Sequence, residues 1–581
     1  LLKHNIIFHK SIVEFKIILR GYFMTDAYSE AVKKYTEPGQ IFEFKEVTND
    51  KGVTYREFCN PAIPENLRKF FDFGLLHPDK DWLVYDDERY EYKEIFDKSA
   101  KLANALIAAG IQKGDRVAIC MVNSPEYIIA MMGIIGIGAV AVPLNSWWVP
   151  KEVTYGLQNS EAKLLIADDK RLAGLDDLDL TKVSVRSDTN DYQDFYDFIK
   201  DQSDSWPEVD IAGEDNATIF YTSGSTGNPK GVLLTHKSMI SGFFSWLCIS
   251  QIRVELYGDG LDVNSDKQLS ILHCVPLFHV TGSHVGFFMS IPVGRKIVMM
   301  KKWDAKEALE LLEKEKITNI TGVPTQTWEL LNHPDRDKYD LSNLEDLAGG
   351  GAARPPEHVK QLDEAFKARP SIGYGLTETN AMGTIAGGDE YLQNPSSCGR
   401  VVPPLTDIDI IDSNWNSLPE GEVGEIVIKS PANMAGYWKN EEATSEVLND
   451  EGWFKSGDLG YFKGPFLHIV DRVKDLVIRG GENISCIEVE AAIYEHESVS
   501  EVCVFGIPEE RLGEKLCAAI HLKDSKTLNE DELNSFLAER LAKFKIPAFV
   551  VFEDNPLPRV GSGKFSKTQL REMFVNYEKE L

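Results

Sequence analysis

The sequence is short of basic residues, of paired cysteines and of long apolar runs. It has 62 Lys and Arg residues against 91 Asp and Glu residues, which gives a formal net charge of −29. Such a chain lacks the clustered cations that bind nucleic acid, and an anionic membrane surface would repel it. No stretch approaches the roughly 18 consecutive apolar residues of a membrane span. We therefore expect no nucleic-acid partner and no transmembrane segment.

The eight cysteines are scattered singly, with no CxxC pair and no spacing typical of a zinc site. Several lie inside apolar segments, as buried free thiols do. A reducing compartment is therefore the expectation. The C-terminal residues Glu578-Lys579-Glu580-Leu581 are not a peroxisomal Ser-Lys-Leu signal. Together these features favour a cytoplasmic location.

What is present is an ordinary globular composition of 581 residues, 43% of them hydrophobic and 26% charged. This length predicts about three or four domains or subdomains. Residues 1–23 differ from the rest, because they begin with Leu1, carry four cations against one acid and end just before Met24. They are either a basic targeting segment or translated upstream sequence with Met24 as the true start. The second interpretation is favoured, since the segment lacks the Ser and Arg richness of transit peptides.

From about Tyr92 onward, helical and strand patterns alternate along the chain. Residues 116–122 have the pattern of a buried strand, and Ser124-Pro125 then supplies a helix N-cap and first helical residue. The helix is predicted over residues 126–137, and another strand follows it. Strands that alternate with helices predict parallel, doubly wound sheets.

The pattern changes twice towards the C-terminus. From about Leu405 the chain has short strands with polar turns, which predicts a β-rich subdomain. From about Asp475 it has strands at residues 501–505 and 516–522, a helix at residues 530–542 and a further strand, which predicts a separate small α+β domain.

The strongest chemical signal is a loop rich in glycine and hydroxyl groups between two apolar strands. Its residues are Thr222, Ser223, Gly224, Ser225, Thr226, Gly227 and Lys230. Their N–H and O–H groups can surround phosphate oxygens. The loop is not a Walker A motif, because no Ser or Thr follows Lys230. A flexible Gly/Ser turn is the alternative, which the lysine and the flanking strands disfavour.

This loop resembles the phosphate-binding signature of adenylate-forming enzymes, which include acyl- and aryl-CoA synthetases, peptide-synthetase adenylation domains and luciferases. Further motifs resemble those of the family in the same order, between about Tyr92 and Lys564. The resemblance implies an α/β fold with a large N-terminal domain, residues 24–473, made of two doubly wound α/β subdomains and a small β-rich subdomain. A small mobile α+β lid domain, residues 474–581, is expected to follow.

Two motifs resemble the segments that bind the adenine and α-phosphate of ATP. Residues 349–353 are similar to the backbone platform under adenine, which implies contacts at Gly351 and Ala352. The second motif implies nucleotide contacts by Gly373, Tyr374, Gly375, Thr377 and Glu378. Tyr374 would stack on adenine, Thr377 would meet the α-phosphate and Glu378 would hold Mg²⁺, a hard cation that prefers carboxylate and phosphate oxygens. Taken alone, either motif could be an ordinary turn after a strand.

Three charged residues resemble the ribose site and hinge of the family. The resemblance implies that Asp458 accepts the ribose hydroxyls, that Arg472 contacts ribose or phosphate and that the domains rotate about Lys474. Without the family context, the segment Asp471–Asp475 would be a solvated charge cluster.

Three further positions complete the resemblance. Gly480 and Gly481 are similar to the glycine loop that borders the pantetheine tunnel in CoA-using members, although they could form a simple turn. Lys564, on a Gly-Ser-Gly turn, resembles the catalytic lysine. His279 resembles a residue that lines the carboxylate pocket, and a buried core histidine is its alternative.

The resemblance implies an acid–thiol ligase that uses ATP, CoA and Mg²⁺ to make an acyl adenylate and then a CoA thioester. Residues 280–286 hold no carboxylate to pair with an amino-acid ammonium, which disfavours a peptide-synthetase role. The apolar segments 242–246 and 285–289 suit a hydrophobic acid but could equally be helix core. Residues 144–148 resemble bacterial fatty-acyl-CoA synthetases, so a medium- or long-chain fatty acid is predicted.

Alternatives remain at this point. An aryl acid of the coumarate or benzoate type is the rival substrate, and the acceptor could be something other than CoA. A nucleotide-binding pseudoenzyme also stays open, although the intact Lys230, Glu378, Asp458 and Lys564 disfavour it. The expected partners are small molecules, and a homodimer is left open.

Overall fold

The structure is a computed structural model that describes residues 26–49, 52–188, 191–222, 228–258, 260–261, 267–479, 482–509, 511–561 and 563–580. The strands are β1 Phe44–Thr48, β2 Thr54–Phe58, β3 Asp81–Tyr85, β4 Glu88–Glu91, β5 Arg116–Cys120, β6 Val140–Pro143, β7 Ala162–Asp168, β8 Thr181–Val185, β9 Gln193–Asp194, β10 Asn216–Thr222, β11 Lys230–Thr235, β12 Ser270–His273, β13 Lys296–Met299, β14 Asn319–Gly322, β15 Asp346–Gly350, β16 Arg369–Gly375, β17 Gly383–Gly387, β18 Arg400–Val401, β19 Asp407–Ile411, β20 Gly424–Lys429, β21 Gly436–Tyr437, β22 Phe454–Lys463, β23 Phe466–Arg472, β24 Val477–Arg479, β25 Glu482–Ile484, β26 Val499–Glu509, β27 Gly513–Leu522 and β28 Phe549–Glu553.

The helices are α1 Asp26–Thr36, α2 Leu67–Phe71, α3 Tyr92–Ala108, α4 Pro125–Gly136, α5 Pro150–Ser160, α6 Asp169–Leu172, α7 Phe195–Ile199, α8 His236–Tyr257, α9 Ala305–Lys314, α10 Pro324–Asn332, α11 Pro356–Ala365, α12 Gly388–Gln393, α13 Glu441–Val447, α14 Cys486–Tyr494, α15 Glu530–Ala538 and α16 Lys567–Glu580. A short π-helix, Thr281–Phe287, follows β12. Within the described ranges, no helix is both long and apolar enough to cross a membrane.

Two large sheets form the N-terminal domain, as the alternation of helices and strands predicts. One has the strand order β21-β11-β10-β6-β5-β7-β8-β9, and the other has the order β18-β17-β16-β15-β14-β12-β13-β3-β4. Their central strands pair in parallel, as β5 does with β6 and β15 does with β16. The predicted α/β class with two doubly wound subdomains is confirmed.

Two of the three smaller sheets among the described residues also match the prediction. Strands β19, β20, β22 and β23 form the β-rich subdomain through antiparallel pairs. Strands β24 to β28 form the sheet of the C-terminal domain, which packs its own apolar clusters against α14, α15 and α16. Because these clusters draw only on residues after β23, the C-terminal domain has a core of its own.

Two local predictions need correction. Ser124 does occupy the N-cap of α4, but its hydroxyl bonds no helix N–H group and lies 3.7 Å from the Met121 sulfur instead. The helix predicted over residues 530–542 ends at Ala538. There the Leu537 carbonyl accepts the N–H groups of both Arg540 and Leu541, which tightens the last turn and ends the helix.

The largest apolar core lies among α3, α4, α8 and both large sheets. It includes the four phenylalanines of the aromatic segments whose role the sequence left open. Phe243 and Phe288 stack with their ring centroids 4.9 Å apart, and Phe244 and Phe287 are buried with them. These four rings are therefore core, whereas Trp246 of the same helix is only half-buried.

Candidate active site

Two of the motifs predicted to bind a nucleotide lie where parallel strands of the second large sheet end. Strand β15 ends at Gly350 and β16 ends at Gly375, with Gly350 paired to Gly373 across the two strands. Open α/β sheets bind ligands at the carboxyl ends of their strands. Gly351 follows β15 with a φ of +75°, a conformation that glycine adopts without strain. Ala352 beside it is exposed.

The side chain of Tyr374 connects this edge to the β-rich subdomain. Its hydroxyl donates a hydrogen bond to Asp458 Oδ2 at 2.9 Å. The other oxygen of Asp458 pairs with Arg472 Nε at 3.0 Å, because β22 and β23 place these two residues opposite each other. Asp458 is buried, whereas Arg472 is exposed. The pair thus places a fixed carboxylate and a cation at the hydroxyl of Tyr374, near the end of β16.

Glu378 lies in a short 3₁₀ turn, Thr377–Thr379, directly after β16. Tyr437 donates a hydrogen bond to its Oε1 at 2.9 Å, and burial raises the pKa of Glu378 above its usual range. Among the described residues, no Lys, Arg or His forms an ion pair with this carboxylate. A buried carboxylate without a directly contacting cation fits a hard cation that takes its remaining ligands from phosphate and water. Thr377 is half-buried next to it.

The predicted phosphate loop is only partly within the described residues. Its ends, Thr222 and Lys230, are directly opposite each other in the antiparallel pair β10 and β11, so the loop is a hairpin connection. The ammonium of Lys230 lies 4.9 Å from the centre of the Tyr437 ring. Residues Ser223, Gly224, Ser225, Thr226 and Gly227 lie outside the described part of the chain.

Lys564 approaches this site from the C-terminal domain. Its turn is closed by hydrogen bonds from Val560 N to the Lys564 carbonyl and from Gly563 N to the Val560 carbonyl, both at 2.8 Å. A Cβ atom added to Gly351 would lie 3.2 Å from Lys564 Cε, so the lysine stem passes directly over that glycine. Burial, reinforced by the charge of Arg472, lowers the pKa of Lys564 to about 8.

His279 is half-buried in the turn that precedes the π-helix. Burial, together with the nearby ammonium of Lys564, lowers the pKa of His279 to about 4, so the imidazole is neutral at physiological pH. The His279 ring therefore lies close enough to Lys564 to feel its charge. His284, in contrast, is fully engaged by Ser283 and by Asn380, at 2.9 and 2.8 Å, and belongs to the core.

The structure brings together Gly351, Tyr374, Glu378, Asp458 and Lys564 from two domains. Lys474 lies in the exposed turn after β23, between the β-rich subdomain and the C-terminal domain. Gly480 and Gly481 lie outside the described residues. Sequence reasoning missed Tyr437, because the two-residue strand β21 gives no local signal and only its pairing with β11 brings the ring to Glu378 and Lys230.

Two family models match this chain in sequence order. The model of the AMP-binding enzyme matches residues 71–438, and that of the AMP-binding enzyme C-terminal domain matches residues 488–564. The chain belongs to the AMP-binding enzyme family. Within the adenylate-forming superfamily, it falls among the acyl-CoA synthetases.

Relatives and solved structures agree with this assignment. A long-chain-fatty-acid–CoA ligase of Bacillus subtilis (strain 168) is 32% identical over 536 residues, covering 86% of this chain and 93% of the relative. A feruloyl-CoA synthase of an Amycolatopsis species is 34% identical over 487 residues, covering 83% of this chain and 94% of the relative. The crystal structure of ATP-bound MatB from Rhodopseudomonas palustris is similar with a TM-score of 0.77 and 27% identity, covering 88% of this chain and 99% of that one.

The geometry around Tyr437 gives a first prediction. Tyr437→Phe removes the hydrogen bond to Glu378 but keeps the ring near Lys230. Because a hydrogen bond to a charged group contributes about 1.5–3 kcal/mol, we expect ATP to bind at least about tenfold more weakly in the presence of Mg²⁺, as measured by isothermal titration calorimetry. Tyr437→Leu, which also removes the ring, should weaken binding further.

Tyr192→Phe is the matched control for this experiment. Tyr192 also donates to a carboxylate, Asp176 at 2.5 Å, but lies near β9, at the opposite edge of the same sheet from β21. ATP affinity in this variant should equal that of the wild type. Unchanged ATP binding in Tyr437→Phe would contradict the positioning role of Tyr437.

Proposed function

We propose that this protein is an AMP-forming acyl-CoA synthetase that activates a hydrophobic carboxylic acid through an acyl adenylate. The observation that carries the proposal is the approach of Lys564, from the C-terminal domain, to Gly351 at the sheet edge of the N-terminal domain. An isolated nucleotide-binding module would not require a lysine from a second domain over its binding edge. A lysine on a second domain suits a catalytic group that acts in only one orientation of the two domains.

The nucleotide is proposed to lie along the ends of β15 and β16. The backbone at Gly351 and Ala352 supports the adenine ring, and Tyr374 covers it. Asp458, held by Tyr374 and Arg472, accepts the ribose hydroxyls. The hairpin connection between Thr222 and Lys230 holds the β- and γ-phosphates with its N–H groups and the lysine ammonium.

Glu378 is proposed to hold Mg²⁺ together with the phosphates of ATP. When bound, the cation would neutralise phosphate charge and fix the orientation of the triphosphate. Tyr437 fixes the Glu378 carboxylate through its hydrogen bond and lies against Lys230. It therefore aligns the two protein groups that face the phosphates.

In the first half-reaction, a carboxylate oxygen of the substrate attacks the α-phosphorus, and the bond to pyrophosphate breaks. Lys564 stabilises the negative charge that develops on the α-phosphate and bridging oxygens. Thr377 contacts the α-phosphate, and neutral His279 borders the carboxylate without repelling the lysine. No protein nucleophile is required, because the substrate carboxylate is itself the nucleophile.

In the second half-reaction, the C-terminal domain rotates about Lys474 and withdraws Lys564. Gly480 and Gly481 then border the path of CoA, whose thiol attacks the acyl carbonyl carbon and displaces AMP. The exposed position of Lys474 between two domains with separate cores supports its role as the pivot.

A fatty acid of medium or long chain is the proposed substrate. The similarity to a long-chain-fatty-acid–CoA ligase supports it, while the similarity to a feruloyl-CoA synthase keeps an aryl acid as the second candidate. An assay with ATP, Mg²⁺ and a panel of acids, counting AMP and pyrophosphate with and without CoA, tests the proposal. Thioester formed from fatty acids supports it, and AMP release that ignores CoA would indicate another acceptor. Absence of turnover with every acid would indicate a pseudoenzyme.

Lys564→Ala should separate the two half-reactions. Loss of one preorganised charge-stabilising group typically lowers a rate about 10²–10³-fold, and adenylation, measured by acid-dependent ATP–pyrophosphate exchange, should fall by at least that factor. ATP binding should change little, because Asp458 and the phosphate loop remain. Supplied with acyl adenylate and CoA, the variant should form thioester at a near-normal rate. Equal loss of both activities would contradict the assignment of Lys564.

The lowered pKa of Lys564 predicts an alkaline limit to adenylation. Burial disfavours the ammonium form, so the lysine is charged below a pKa of about 8 and neutral above it. The kcat/KM for ATP in the first half-reaction should therefore fall about tenfold per pH unit above that value. Lys564→Arg keeps its charge and should lose this decline, even if its overall rate is lower. An identical decline in Lys564→Arg would show that another group causes it.

A further inference from the structure

Helix α10 presents two adjacent side chains to the C-terminal domain. Trp328 donates a hydrogen bond from its indole N–H to the carbonyl oxygen of Ser500 in β26, at 3.1 Å. Glu329 accepts one from the guanidinium of Arg559, at 3.2 Å. Both partners belong to the C-terminal domain, so one turn of a single helix holds the two domains together at two points.

Trp328 packs against a residue of its own domain and is also contacted by residues of the C-terminal domain. Its ring stacks on His358 of α11, with centroids 3.7 Å apart and planes at 10°. The His358 ring in turn meets Tyr494 of the C-terminal domain edge-on at 4.8 Å. The ammonium of Lys523 lies 5.3 Å from the indole, within the range of a cation–π contact. A rigid aromatic pair therefore forms the centre of this contact, as aromatic anchors do in protein interfaces.

A hydrogen bond within the N-terminal domain fixes the orientation of the Glu329 carboxylate. Trp303 donates its indole N–H to Glu329 Oε2 at 2.5 Å, which leaves Oε1 facing Arg559. Arg559 Nη2 also binds Glu501 at 2.5 Å, and its Nη1 donates to the carbonyl of Gly563 at 3.0 Å. One guanidinium thus ties the N-terminal domain to the turn that carries Lys564.

The turn itself packs against the start of the same helix. A Cβ atom added to Gly563 would lie 3.0 Å from a methyl carbon of Val323, the residue just before α10. Since Arg559 and Lys564 lie on one short turn, Lys564 cannot leave the site unless the bond between Arg559 and Glu329 breaks or the turn deforms.

We propose that Trp328 and Glu329 are positioning residues that clamp the C-terminal domain in the orientation for adenylation and release it for thioester formation. The inference rests on the proposed two-step function. A contact with one aromatic anchor and one half-exposed ion pair suits this task, because such contacts are individually modest and can be broken on the timescale of turnover. An interface of continuous apolar core would hold the domain permanently.

The test measures the two half-reactions separately in Glu329→Gln, Trp328→Ala and the combined variant. We expect acid-dependent ATP–pyrophosphate exchange to fall about fivefold in Glu329→Gln and about tenfold or more in Trp328→Ala, since the anchor is the larger contact. Thioester formation from supplied acyl adenylate and CoA should be unchanged or faster. Glu495→Gln, which removes an ion pair with Arg540 at 2.9 Å wholly inside the C-terminal domain, is the control and should leave both rates unchanged.

A double-mutant cycle tests whether Glu329 acts through Arg559. If the two side chains work as a pair, Glu329→Gln should lower adenylation no further in a protein that already carries Arg559→Gln. Fully additive losses would overturn the pairing. Equal losses in both half-reactions, or no loss of exchange in the combined variant, would overturn the clamp.

Hydrogen–deuterium exchange gives a readout that does not depend on activity. Amides of Pro324–Asn332 and Val499–Glu509 should exchange faster in the combined variant than in the wild type, while those of β5 and β27 should not change. Unaltered exchange at both contact segments would also overturn the clamp. A wild-type protein that forms no adenylate with any acid would instead refute the proposed function. The hydrogen–deuterium exchange rates would still show whether the contact exists.

Discussion

The passage of the Lys564 side chain over Gly351 is the contact on which the rest of the site depends. It joins two domains with separate cores at a point where the N-terminal domain contributes only a glycine. Any side chain at position 351 would meet the lysine stem, since even a Cβ atom would lie 3.2 Å from Cε. A φ of +75° further restricts this position to glycine. Only glycine at position 351 therefore leaves room for the lysine side chain, and the same residue is the one we propose to lie under adenine.

Electrostatics supports the proposal that Lys564 is supplied by a domain that rotates away. The protein carries a net charge of −29, so the phosphates of ATP must be held by local groups working against the overall field. We propose that Lys230, Arg472 and Lys564 provide that local charge. Burial, reinforced by the charge of Arg472, lowers the pKa of Lys564. Holding a buried ammonium near other cations is unfavourable until an anion arrives. A lysine on a separate domain can occupy this position while phosphate charge is present and depart afterwards.

The sequence predicted the fold class and supplied the candidate residues because those signals are local. Alternating helices and strands define the sheets, and the motifs around Lys230, Tyr374, Asp458 and Lys564 lie in order along the chain. Tyr437 was missed because its role follows from a two-residue strand pairing with β11, far away in the sequence. The aromatic segment at Phe243 was ambiguous for a related reason, since a core ring and a pocket ring have the same helical spacing.

The contact between the domains could not be predicted from the sequence for the same reason as the position of Tyr437. Trp328 and Glu329 have no recognisable motif, and their partners Ser500 and Arg559 lie about 170 and 230 residues away. The C-terminal domain buries its own apolar clusters, so its stability does not depend on this contact. The contact fixes the orientation of the C-terminal domain relative to the N-terminal domain, and a few directional hydrogen bonds are enough for this. Because Arg559 bonds both to Glu329 and to the turn of Lys564, the bonds that hold the domain are the same bonds that aim the lysine. In the proposed mechanism, domain docking and the positioning of Lys564 are thus one structural event, and releasing the domain withdraws the lysine without a separate step.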